Sequence, residues 1–138
     1  MFDLHNNIKV LGNKVGRVAD NTAQVLTVDR TGFLSVEFLI AAGTLADADM
    51  TTTVLVEDSA DNSNWTAVAD DFLLGTEAGA ALAFDDDNST AKIGYAGAEQ
   101  YVRITLTPAN NTGNADLALV AIGGHPRTAP QTTQVVAN

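Results

Sequence analysis

In the stretch Phe33-Leu34-Ser35-Val36-Glu37-Phe38-Leu39-Ile40-Ala41-Ala42, apolar Leu34, Val36, Phe38 and Ile40 recur at every second position, with Ser35 and Glu37 between them. A period of two is the signature of a strand with one face in a core. Phe33 and Leu39 interrupt the polar side, which predicts that a second surface covers part of it. Upstream, Arg30-Thr31-Gly32 reads as a turn and 23–28 as a weakly alternating strand. Downstream, a loop of small and acidic residues (43–49) leads into a Thr-rich strand (50–58) with Val54 and Val56 on one side. Ser59-Ala60-Asp61-Asn62-Ser63-Asn64 is a concentrated turn signal, and Trp65-Thr66-Ala67-Val68 closes a hairpin.

The rest of the chain repeats the theme. Residues 82–84, 91–96 and 100–107 read as strands, the last with Val102, Ile104 and Leu106 inward. Pro108 and the Asn/Thr/Gly run to 114 are expected to end the ladder in a broad turn. Residues 116–124 form the final strand, apolar on both sides, with Val120 and Ile122 assigned to the core. The single helical turn expected is 70–74, closed by Gly75. The fold class is all-β: an antiparallel, jelly-roll-like β-sandwich with extended N- and C-terminal arms. Its organisation is an N-terminal arm and first strand (1–18), a sandwich domain (19–125) and a C-terminal arm (126–138) in which two prolines and a polar Thr/Gln run disfavour a core strand.

Composition narrows function by exclusion. The 138 residues are 46% hydrophobic and 17% charged, which is a folded composition rather than a disordered one. Seven basic against seventeen acidic residues give a net charge of −10, which opposes nucleic acid and anionic membranes as partners. With no cysteine, thiolate metal sites and cysteine nucleophiles are excluded. Met1 to Asn7 has no basic, apolar leader pattern, so the chain is expected to be soluble where it is made.

Little in the sequence points to catalysis. His5 and His125 stand near opposite termini with no nucleophile beside them, and no hydrolase, zinc or nucleotide motif occurs, so the reading is a protein with no enzymatic activity and no cofactor. The acidic runs at 57–64 and Asp85-Asp86-Asp87-Asn88 lack the spacing of a calcium loop and read as turns. Trp65, Tyr95 and Tyr101 would be the residues of a sugar-stacking platform, and Arg103 is expected to pair across a sheet with Glu37.

Leu45-Ala46-Asp47-Ala48-Asp49, Val54-Leu55-Val56-Glu57-Asp58-Ser59 with Asn64-Trp65, Asp70-Asp71-Phe72-Leu73-Leu74-Gly75, Lys92-Ile93-Gly94-Tyr95, Tyr101-Val102-Arg103-Ile104-Thr105-Leu106-Thr107-Pro108 and Gly123-Gly124-His125-Pro126-Arg127 together resemble the small β-sandwich head decoration (cement) proteins of tailed bacteriophages and prophages. The resemblance spans 19–127. It implies a structural virion protein on the outer surface of the capsid, soluble in the host cytoplasm before assembly. The partners it implies are the major capsid protein and further copies of the chain, as a trimer or dimer. Partner contacts are then expected in the arms, at Phe2, Leu4, Arg127, Val135 and Val136, because apolar-tipped arms order on a partner and add area beyond the body. The alternative is a carbohydrate-binding or tail-fibre-like adhesion module.

Overall fold

A computed structural model describes residues 3–113 and 115–137. Its strands are β1 (Ile8–Val18), β2 (Gln24–Asp29), β3 (Phe33–Ala42), β4 (Thr51–Ser59), β5 (Thr66–Ala67), β6 (Leu73–Leu74), β7 (Thr90–Tyr95), β8 (Tyr101–Ala109) and β9 (Ala115–Pro126), with one short helix, α1 (Glu77–Ala80). They form two sheets, a five-stranded one in the order β1-β9-β3-β7-β6 and a four-stranded one in the order β2-β8-β4-β5. Every pairing is antiparallel, so the chain is the jelly-roll-like β-sandwich that its period-two patterning predicts.

The core lies between the sheets. Val36, Phe38 and Ile40 of β3, Ile93 and Tyr95 of β7, and Leu117, Leu119 and Ala121 of β9 face Leu26 and Val28 of β2, Val54 and Val56 of β4, and Val102, Ile104 and Leu106 of β8. Leu45, Met50, Val68 and Leu82 from the loops, Leu73 of β6 and Ala80 of α1 join the same core.

Four expectations are corrected. On β9 the core takes Leu117, Leu119 and Ala121, and Val120 and Ile122 stand half-buried on the far side, because two apolar faces leave parity undetermined and the register with β3 sets it: Ile40 lies opposite Leu119. Leu34 is exposed at 58%, and Phe33 is buried in its place, its ring lying over Gly123, where a Cβ would come within 2.7 Å of it. Pro108 does not end β8. It pairs with Thr52, and its carbonyl accepts from Asn21 N–H at 2.9 Å, so its nitrogen faces the side that β2 has already vacated and no ladder bond is lost. Residues 82–84 make an isolated bridge, Thr51 to Ala83, because Thr52 Oγ1 takes both backbone groups of Leu82, donating at 2.7 Å and accepting at 2.8 Å.

Helix is scarce, as expected, and the turn expected at 70–74 is present but shorter. Asp70–Phe72 is a 3-10 turn that runs into β6, and α1 was not anticipated: Thr76 Oγ1 caps it by accepting Gly79 N–H at 2.9 Å.

Candidate functional site

The two termini meet. β9 ends beside the start of β1, with Ile8 opposite Gly124, and the backbone N–H of Gln131 donates to Asn6 O at 2.8 Å. His5, Ile8 and Val10 line a shallow depression with Thr133 and Gln134 of the tail. The C-terminal segment therefore lies against the N-terminal one. Of the expected arm contacts, Leu4 is 72% exposed and Val135 85% exposed, while Val136 is half-buried. Arg127 is exposed, held by its backbone N–H to Gly32 O at 2.8 Å, and shares a depression with Arg30. Phe2 lies outside the described residues.

The acidic runs are occupied by their own backbone. Asp61 accepts from Ser63 N–H at 2.9 Å, Asn64 N–H at 2.8 Å and Ser59 Oγ at 3.0 Å, and the N–H groups of Asn64 and Ser63 hold its carboxyl far below the usual range. Asp47 does the same at the other end of the sandwich, where Gly113 N–H and the Thr112 hydroxyl lower it. Asp86 accepts Ala83 N–H and Asp87 accepts Leu45 N–H, both at 2.8 Å. These carboxylates are turn-formers.

Tyr95 is separated from the other two aromatics, since Trp65 and Tyr101 are both half-buried on the outer side of the four-stranded sheet. Tyr95 is wholly buried on the core side of β7. Its hydroxyl donates to Asp58 at 2.8 Å and accepts Glu99 N–H, and burial pushes it up to about 12. Trp65 is half-buried outside the four-stranded sheet, with the Arg103 guanidinium 4.3 Å above its ring. The expected Arg103–Glu37 pair is replaced by Arg103–Glu57 at 2.9 Å, since β4 lies beside β8 and Glu37 belongs to the other sheet.

Glu37 lies on the outer face of the five-stranded sheet, on a slot left by Gly94, where a Cβ would meet its carboxylate at 2.6 Å. Burial raises it, with Lys92 opposing. Around it the face is apolar: Leu39, Val120 and Ile122 are half-buried with no core beside them, and Val15 and Leu74 are exposed at 68% and 58%. At one end Val15, Ala41 and Ala118 line a depression flanked by the Arg17–Asp116 pair, 3.0 Å apart. The sequence signalled this face through Leu39 and the two-sided β9, without indicating that its centre would stay uncovered by the described residues.

Among the described residues no group of acidic or histidine side chains could hold a metal ion, and no helix is long and apolar enough to cross a membrane.

No family profile and no curated sequence matches the chain. Among solved structures it is similar along its whole length to the PBSX exported protein XepA, with a TM-score of 0.58 and 17% identity. The chain spans 42% of that protein's length. It is more distantly similar to the Yersinia pseudotuberculosis-derived mitogen (TM-score 0.44, 12% identity, covering 94% of this chain and 99% of that one). A Clostridium thermocellum xylanase Xyn10B structure with CBM22-1 and GH10 modules gives TM-score 0.42 and 10% identity over 97% of this chain and 28% of that one. At these identities the likeness is one of fold.

Proposed function

We propose that the chain is a structural protein of a tailed phage or prophage that binds the outer surface of the capsid through the major capsid protein and stabilises the shell. The observation that carries this reading is the convergence of the two chain ends at one corner, where Leu4 and Val135 present apolar side chains to solvent. Buried alone, such side chains would stabilise the body; exposed together beside a rigid sandwich, they suit capture of a partner. The similarity over the full chain to a protein of the phage PBSX supports a phage setting. A charge of −10 suits a basic patch on the shell, so association weakens as salt rises.

The test is sedimentation of the purified chain with heads of the phage that encodes it. The expected result is co-pelleting that is reduced by salt and by ending the chain at Pro130. The melting transition of the shortened chain stays nearly unchanged, because what is removed is mostly exposed and tied down by the Gln131 N–H bond. A chain that stays in the supernatant but is retained on a glycan column belongs to the adhesion class, and one whose truncation decorates heads as tightly as the whole grips through its body.

A further inference from the structure

We infer that the outer face of the five-stranded sheet is where the chain binds a second copy of itself, sheet against sheet. This rests on the self-association that the resemblance to decoration proteins implies, and so on the reading proposed above, but not on the identity of the shell.

Three observations choose the occupant. The first is charge. The ionised side chains on this face are Arg17 and Lys92 against Glu37 and Asp116, two of each sign, so the face is neutral in a chain whose net charge is −10. Two copies of a chain with this net charge repel where their acidic turns meet, and here no net repulsion crosses the seam. A basic partner, by contrast, gains nothing from a neutral face and is drawn to the acidic turns instead. The second is size. Five strands about 4.8 Å apart, with the longest exposed for some ten residues at about 3.4 Å each, give a footprint on the order of 600 Å². A standard interface removes about 800 Å² from each partner, so this face with a rim from the termini reaches what a stable dimer needs. The third is shape and continuity. The face is a twisted sheet with Leu39, Val120 and Ile122 along its middle, and stacking on its own duplicate reproduces the packing already present in the core, where two such sheets lie about 10 Å apart. Val10 of β1 belongs both to this face and to the depression under the tail, so the patch runs on into the corner where the chain ends meet.

The paired face has one more consequence. In an isologous contact each residue meets its counterpart or the counterpart's neighbour, so a charge placed at the centre is repeated and faces itself. Val120→Lys and Leu39→Lys therefore introduce repulsion twice.

The experiment is sedimentation velocity on the full chain and its variants at concentrations up to about 0.1 mM. The wild type is expected to sediment as a dimer, and Val120→Lys and Leu39→Lys as monomers, with association weakened about 100-fold or more. Val15→Lys tests the same face at a position 68% exposed, where folding is not at stake. It is expected to weaken association as well, and Thr105→Lys on the opposite sheet to leave it unchanged. A monomeric wild type, or lysine variants at Val120, Leu39 and Val15 that assemble as the wild type does, would overturn the assignment. Co-sedimentation with heads separates the two readings: an oligomer that loses assembly with Val120→Lys but never pellets with heads keeps the face and discards the shell.

Discussion

The two outer faces of the sandwich are built from the same kind of strand and end up chemically opposite. On the four-stranded sheet, Thr53, Thr105 and Thr107 alternate with inward Val54, Leu106 and Pro108, Arg103 sits between Thr27 and Glu57, and Trp65 is laid over the guanidinium; Val25 and Leu55 are scattered among them. On the five-stranded sheet, the same outward positions hold Leu39, Val120 and Ile122. Solvent is an adequate neighbour for threonine, and β-branching keeps it strand-forming without requiring burial. Leucine, valine and isoleucine on a continuous surface leave apolar area that only another surface removes from water. The difference teaches that a sandwich needs just one apolar face per sheet, and that a second one is a statement about what lies outside.

The largest effect comes from adjacent residues on opposite sides of β3. Phe38→Ala empties the core and is expected to cost about 3–5 kcal/mol in urea unfolding, whereas Leu39→Ala costs the isolated monomer less than about 1 kcal/mol, its loss appearing instead in assembly. Equal losses at dilutions where only monomer exists would mean that the outer face is packed within the chain. Next is the polar face. Arg103→Ala leaves Glu57 half-buried without its partner and uncovers Trp65, for about 1–2 kcal/mol, and a double-mutant cycle with Glu57→Ala is expected to return a coupling of roughly 1 kcal/mol. A coupling near zero would reduce the pair to an exposed contact.

A smaller effect, with a direction in pH, belongs to Glu37. Its folded pKa is raised, so ionisation opposes folding above that value, and the penalty fades as pH falls through it towards the unfolded value near 4.5. Glu37→Gln is therefore expected to melt above the wild type at pH 7 and level with it below about 4.5, as read by calorimetry across that range. The reverse order at pH 7 would mean that Lys92 outweighs burial. The smallest effect is Thr53→Lys, exposed on the polar sheet, which stays within about 0.5 kcal/mol of the wild type in the same urea assay.

How far the sequence reached depends on how much each strand says about its two sides. Residues 102, 104 and 106 were legible because their neighbours are charged or hydroxylated, which leaves one choice of inside. β9 offered aliphatic side chains at both parities, so its orientation came only from its register against β3, a long-range fact that local alternation does not carry. Pro108 misled because the rule against proline in a ladder concerns strands with neighbours on both sides, and β2 stops short of it. The contact between Gln131 and Asn6, made through backbone atoms, leaves no side-chain signature to read. Arg103 pairs with Glu57 and not with the expected Glu37, because which strands share a sheet is not written in local alternation.

Trp65 is the sole tryptophan of the chain, and it lies on the polar sheet, one ring face against a cation. The protein thus carries a built-in fluorophore on the side of the sandwich away from its apolar face. Its emission reports unfolding, when the indole leaves Arg103 and meets bulk water, and is blind to anything that settles on the five-stranded sheet. The indole signal therefore reads loss of structure without interference from gain or loss of a neighbour, with no label attached.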